Sequence, residues 1–158
     1  MKKYEDSVMY YETAIMMEPN LDAKHWADYG FVLYQLGNYE GAEEKLSYAI
    51  AQYVYLILRI ISPLFLCLSF SASRHPLPPE CFVNYGLVQM KLNRYNEAAG
   101  NFKYAIERSV LKDARATPFL SDFIQAFEKV DDGQKEKFNE CLEVCKAGLM
   151  EQNAAPNS

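Results

Sequence analysis

Reactive chemistry is scarce in this chain. It holds two histidines, His25 and His75. Neither has a serine or cysteine beside it in a recognisable motif, so nucleophilic catalysis lacks a base and its partner. The seven glycines sit at turns, helix contacts or helix surfaces and form no loop that could cradle a phosphate. The acidic pairs Glu43-Glu44 and Asp131-Asp132 fall on a helix surface and in a turn, where solvated charge is the simple reading. Four cysteines, Cys67, Cys81, Cys141 and Cys145, make no disulfide framework. Cys141 and Cys145 lie one helical turn apart, but no second pair completes a metal site, and small core residues fit better. These absences predict no enzyme, no cofactor, no metal and a reducing, cytoplasmic compartment. Basic clusters are missing too. Lys and Arg number 16 against 21 acidic residues with no basic stripe, which argues against nucleic acid. Met1-Lys2-Lys3 runs straight into a polar amphipathic segment, so no secretory leader is expected.

What is present is periodicity. In Trp26 to Ile50, WADYGFVLYQLGNYEGAEEKLSYAI, the apolar residues Trp26, Tyr29, Val32, Leu33 and Leu36 recur three and four apart. That spacing is one face of an amphipathic helix. Gly37-Asn38 then breaks the run, as a glycine just past a helix end does. Tyr39, Ala42, Leu46, Ala49 and Ile50 continue at the same spacing on a second helix. Gly30 and Ala42 are small where two helices of a hairpin approach closely, and Trp26 and Tyr39 are large where space must be filled. Asp22 is the expected N-cap of the first helix, over 23–36.

The pattern recurs. Phe82 to Ile106, FVNYGLVQMKLNRYNEAAGNFKYAI, matches without a gap. Phe82 answers Trp26, Tyr85-Gly86 answer Tyr29-Gly30, Tyr95 answers Tyr39, Ala98 answers Ala42, Phe102 answers Leu46, and Ala105-Ile106 answer Ala49-Ile50. Upstream, Tyr4 to Pro19 matches the second half alone through Tyr4, Ser7, Tyr11 and Ala14-Ile15, over a helix expected at 4–18. An internal repeat fixes a fold more firmly than local propensity. In these residues, 4–50 and 80–106, the chain resembles the tetratricopeptide repeat family. The resemblance implies an all-α, helix-turn-helix repeat solenoid wound as a right-handed superhelix, whose members bind peptides or partner helices in a concave groove. The opening helix then stands as the second half of a repeat, which suggests further repeats ahead of it in a longer protein.

The copies are not evenly spaced. Tyr39 follows Tyr4 by 35 residues, but Gly86 follows Gly30 by 56, where the family period is about 34. The excess falls in 51–79, a hydrophobic stretch followed by a Ser/Pro-rich one. Three readings compete. The helix from Tyr39 continues along Tyr53, Ile57 and Ile60 to about Ile61 and is ended by Pro63. Or residues 53–70 tether the protein to a membrane, although Arg59 and Pro63 interrupt a run at the short edge for a span. Or the segment is an insertion foreign to the folded domain. Beyond it, a third hairpin is expected over 80–115. Thr117-Pro118 opens a helix to about 130, Asp131-Asp132-Gly133 turns, and a last helix covers 134–150. These two helices lack the repeat signature and read as a C-terminal cap, with 151–158 disordered. At this length one domain is expected.

The resemblance places the first helix of each repeat along the groove. Projected onto this sequence, the groove face holds Lys24, Ala27, Asp28, Phe31, Tyr34 and Gln35 on one helix and Val83, Asn84, Leu87, Met90 and Lys91 on the other. Phe31, Tyr34, Leu87 and Met90 are large and apolar on a face that a lone solvated helix would keep polar. Either they pack against the insert or a neighbouring hairpin, or they offer an apolar groove to a peptide or amphipathic helix. Asn84 suits a peptide backbone and Lys24 an acidic side chain. Members that grip a C-terminal carboxylate use several basic residues, whereas Asp28 and Glu80 stand at such positions here and would repel an acidic tail. A non-enzymatic protein-interaction scaffold within a multiprotein assembly is the reading that results. The alternatives are a membrane-tethered repeat protein and an accessory domain of a larger protein.

Overall fold

The computed structural model describes residues 2–18, 21–61, 77–109 and 119–154, and every element among them is helical. The chain divides into two compact units, Met1–Pro78 and Pro79–Ser158, not the single domain that its length suggests. The first unit holds α1 (Lys2–Met17), α2 (Ala23–Gln35) and α3 (Tyr39–Ile61). The second holds α4 (Pro79–Lys91), α5 (Tyr95–Ser109), α6 (Leu120–Glu128), the single turn α7 (Asp132–Lys135), a 3-10 turn over Glu136–Phe138, and α8 (Asn139–Ala154).

The start and stop of α2 are written locally. Asp22 has extended backbone, and its Oδ1 accepts from the His25 N–H at 3.1 Å, which satisfies one of the free donors of the first turn. At the other end Gly37 takes φ +80°. That conformation lets the Asn38 N–H reach back to the Leu33 carbonyl (3.0 Å) and the Gly37 N–H to the Tyr34 carbonyl (3.0 Å), closing the helix C-terminus. The α4/α5 turn repeats this bond for bond. Asn93 stands at φ 61°, Arg94 N–H donates to the Gln89 carbonyl (2.8 Å), and Asn93 N–H to the Met90 carbonyl (3.1 Å). Asparagine is the non-glycine residue that tolerates the left-handed region best.

Packing repeats with the turn. In the first unit α2 lies against α3. A Cβ added to Gly30 would stand 2.6 Å from Leu46 Cγ and 3.2 Å from the Ala42 carbonyl oxygen. In the second, α4 lies against α5, and a Cβ on Gly86 would stand 2.9 Å from the Phe102 ring. Ala42, Leu46 and Ala49 on α3 are fully buried, as are Ala98, Phe102 and Ala105 on α5. The aromatic pairs also correspond: Trp26 meets Tyr48 with ring centroids 4.6 Å apart, and Phe82 meets Tyr104 at 4.2 Å. One buried position changes from apolar to polar. Leu33 of α2 is replaced on α4 by Gln89, which is 4% exposed and accepts from Asn101 Nδ2 of α5 at 2.8 Å. The amide pair meets the rule that buried polar groups carry partners.

α1 packs on α2, with Tyr11 stacked on Tyr29 at 5.4 Å and Tyr29 Oη donating to Glu12 Oε1 at 3.3 Å. α3 continues to Ile61, as the helix-extension reading has it, with Tyr53 buried on its inner stripe. Residues 62–76 lie outside the described residues, and so does half of the proposed tether, 62–70. Among the described residues no helix is long and apolar enough to cross a membrane.

In the second unit α6 packs on α5, and α8 on α6 and α5. Phe123 is fully buried and touches Phe127 and Phe138. Cys141 and Cys145 are buried on α8, as small core residues. The hydrogen bond between the two thiols, then burial, pushes Cys141 well above the ordinary thiol range. The cap is also pinned to the α4/α5 turn. Asn96 Nδ2 donates to Asp131 Oδ2 (2.6 Å), Asn96 Oδ1 accepts from the Asp131 N–H (3.2 Å), and Lys129 Nζ lies 4.8 Å from the Tyr95 ring centroid. Two boundaries differ from expectation. The last helix is preceded by α7 and the 3-10 turn, and the backbone at Lys135, Glu136 and Asn139 stays right-handed helical through their junctions. It then continues through residues 151–154, which the sequence reading assigned to a disordered tail. The expected Thr117-Pro118 start falls outside the described residues, and α6 begins after Phe119 with no side-chain cap.

The packing predicts opposite signs for two substitutions on one residue type. Gly30→Val forces an isopropyl group into the Leu46 and Ala42 contact and is expected to destabilise by about 1–3 kcal/mol. Gly100 has nothing within 4 Å of an added Cβ, so Gly100→Ala should stabilise α5 by about 1 kcal/mol through helix propensity. Urea unfolding followed by circular dichroism measures both.

Candidate functional site

The groove candidates form two sets, one in each unit, and apart from Lys24, whose counterpart is Glu80, the sets correspond at the 56-residue spacing. On α2, Phe31 and Tyr34 are half-buried, and Lys24 and Gln35 exposed. Ala27 departs from expectation. It is 2% exposed, so its methyl group belongs to the packed side of α2 and adds nothing to an open surface. Tyr34 rests obliquely against Tyr39 across the turn, ring centroids 5.8 Å apart. On α4, Val83, Asn84, Leu87 and Met90 are half-buried and Lys91 is exposed.

Charge on α2 is already matched. Lys24 Nζ donates to Asp28 Oδ2 at 2.7 Å, a pair one helical turn apart with both side chains largely in water. The Asp28 hydrogen bond, then its charge, raises the Lys24 pKa. An exposed pair of this kind contributes little to stability, but it lowers the capacity of Lys24 to seize an acidic side chain. Nearby, burial first and the Asp28 carboxylate second raise the Tyr11 hydroxyl pKa. The equivalent of this ion pair on α4 is Glu80 and Asn84, so the two faces differ in charge while sharing their apolar positions.

A second feature of the first unit escaped the sequence reading. An open depression of about 690 Å³ is lined by Ile15 of α1, Trp26 of α2, and Lys45 and Tyr48 of α3 among others. Lys45 Nζ stands 5.8 Å from the Trp26 ring centroid and 6.0 Å from that of Tyr29, within cation–π range. Trp26 Nε1–H is buried and has no protein acceptor. The signal was available, because Tyr48 and Tyr104 occupy the same repeat position opposite Trp26 and Phe82. Ser47 and Glu44 also line the depression, with Ser47 Oγ donating to the Glu44 backbone carbonyl at 2.9 Å, and among the described residues no cluster of His, Cys, Asp and Glu could hold a metal ion. What these surfaces offer is shape and apolar contact. No family model matches the sequence, and no curated protein matches it.

The N-terminus of α2 carries a pH-sensitive contact. Burial works against the Asp22 carboxylate, but hydrogen bonds from the His25 ring (2.6 Å) and the His25 N–H outweigh it and hold its pKa below the ordinary range. Because the folded-state pKa is the lower one, the contribution is complete above about pH 4, the unfolded value, and is lost as pH falls through the folded-state pKa. Asp22→Ala is expected to lose about 1 kcal/mol at pH 7. The difference from the unmodified chain should shrink as pH falls from about 4 through the lowered folded-state pKa, as chemical unfolding across that range will show.

Proposed function

We propose that the chain is a non-enzymatic protein-interaction module of the tetratricopeptide type. In this reading its hairpins and capping helices form a right-handed superhelical solenoid that holds a peptide or helix of a partner within a multiprotein assembly. One observation carries the proposal. Two hairpins with the same turn, the same glycine contact and the same aromatic pair also leave large apolar residues half-buried at the same first-helix positions, Phe31 and Leu87, Tyr34 and Met90. Core packing accounts for the repeated glycines and alanines. It does not require a repeated apolar character on the opposite side of the helix, whereas recognition of a partner segment does.

The polar residues beside these positions set the preference. With Lys24 held by Asp28, the α2 face is close to neutral. Asn84 on α4 supplies an amide suited to a peptide backbone, and Lys91 a free-standing positive charge at the helix end. Affinity then comes from apolar anchors, with polar groups fixing orientation. A peptide with spaced aliphatic or aromatic side chains fits this description, and an acidic C-terminal tail does not.

Peptides selected from a random display library on the full chain provide the test. Phe31→Ala and Leu87→Ala, in chains whose circular dichroism is unaltered, should each weaken the selected peptides about tenfold or more, as anchor residues do. Fluorescence anisotropy gives the dissociation constants. Affinities that both substitutions leave untouched would place recognition elsewhere.

A further inference from the structure

α4 carries a charge pattern that α2 does not. Glu80 opens the helix and Lys91 closes it, both exposed, and neither has an ion pair or hydrogen bond with any described residue. Between them Val83, Asn84, Leu87 and Met90 recur at three and four, so all six residues lie along one side of the helix. That side is opposite the buried Phe82, Gly86 and Gln89. Glu80 and Lys91 are separated by about 16 Å along the axis. The helix macrodipole favours an acid at the start and a base at the end, but the hairpin does not require them. The corresponding α2 positions hold Lys24, of opposite sign, and Gln35, which is neutral. Lys24 is moreover matched by Asp28 on its own helix.

An occupant that complements this side brings a base to Glu80 and an acid to Lys91. The chain's own 51–79 stretch has no Asp or Glu to offer Lys91. Residues 110–118 hold Lys112, Asp113 and Arg115, which span about 10 Å even at full extension and cannot reach both ends. One helix does have the complement, and it is α4 itself. Laid antiparallel, two copies of α4 set Glu80 of each against Lys91 of the other. Positions 84 and 87 then pair about the same two-fold axis, with Val83 and Met90 beside them. This is the self-complementary geometry of a two-fold interface, in which one residue meets a second and the second meets the first. A parallel pairing would instead set acid beside acid and base beside base.

We infer that two copies of this chain associate through antiparallel α4 helices, and that this association regulates the recognition surface. The inference rests on the function proposed above, because the residues that pair the copies are the α4 residues assigned to a partner segment. Leu87 and Met90 are covered in the pair and open in the separated chain, so the second copy and the partner segment compete. The contact is short. A helix of 13 residues is about 20 Å long, less than a permanent dimer needs, which sets a dissociation constant on the order of 0.1 mM. A contact of that strength is one that a partner segment can displace.

Sedimentation equilibrium of the full chain in low salt, at concentrations up to about 1 mM, tests this. A monomer–dimer equilibrium is expected. Glu80→Lys alone sets base against base and Lys91→Glu alone sets acid against acid, so each should weaken association about tenfold or more. An equimolar mixture of the two variants restores opposite charges at both ends and should regain it, which also shows that both variants fold. Peptides selected from the display library should dissociate the dimer. Variants that associate as strongly as the unmodified chain, or a mixture no stronger than its components, would overturn the inference. A dimer indifferent to the peptides would overturn the regulation. A chain that stays monomeric would overturn the second copy and leave the α4 face to another protein. If the selected peptides then still lose affinity on Leu87→Ala, the recognition surface stands and self-association alone falls.

Discussion

Close approach of one helix to the next is the constraint on which this molecule rests. It is achieved by removing a side chain on one helix and placing a branched or aromatic one opposite, Gly30 against Leu46 and Gly86 against Phe102. Two helices that meet in this way exclude water along the whole contact, and the alanines on either side of Leu46 and Phe102 follow from the same short separation. Helix stability here comes from tertiary burial, since helices of 13 to 16 residues are marginal alone. The rings at the open ends, Trp26 with Tyr48 and Phe82 with Tyr104, fill the space that the small residues do not.

The left-handed turn is the second half of the same device. A first helix that did not end at Leu36 or Leu92 could not reverse in time to place its glycine against the following helix. Gly37 and Asn93 reverse the chain with identical backbone bonds although their side chains differ. The second unit then adds α6 and α8, which bury Phe123, Phe138 and the two α8 thiols, and ties Asp131 back to Asn96 beside that turn. The polar pins lie where the aromatic contacts stop.

Much of this was legible in the sequence because it is periodic. Tyr29-Gly30 and Tyr85-Gly86 declare both the helix and the contact, Gly37-Asn38 the turn, and Asp22 the cap. The helical class follows from the repeat alone. What periodicity conceals is which edge of a helix is covered. Ala27 sits at the spacing of an open face, yet it is buried, since a methyl group at the boundary of a packed arc is enclosed by its larger neighbours. The depression beside Trp26 depends on three helices at once, and no single-helix pattern encodes it. The short α7 and the 3-10 turn also escaped, because they tighten the hydrogen-bond spacing without taking the backbone out of the helical region. The α8 extension through 154 escaped as well, its residues being polar in a stretch that otherwise reads as a tail.

The Gln89–Asn101 pair, present in one hairpin alone, bears on how the chain finds its pairing. Two first helices and two second helices of the same design coexist in one sequence, so α2 could nucleate on α5, or α4 on α3, during folding. Gln89 and Asn101 make those errors unequal to the native choice. With α2 on α5, the Asn101 amide would face the hydrocarbon of Leu33. With α4 on α3, Gln89 would be enclosed beside Lys45 without its amide partner. Either forgoes the Gln89–Asn101 hydrogen bond, worth about 1 kcal/mol. A single amide pair in an otherwise apolar contact thereby acts as an address label, sorting near-identical helices to their proper mates.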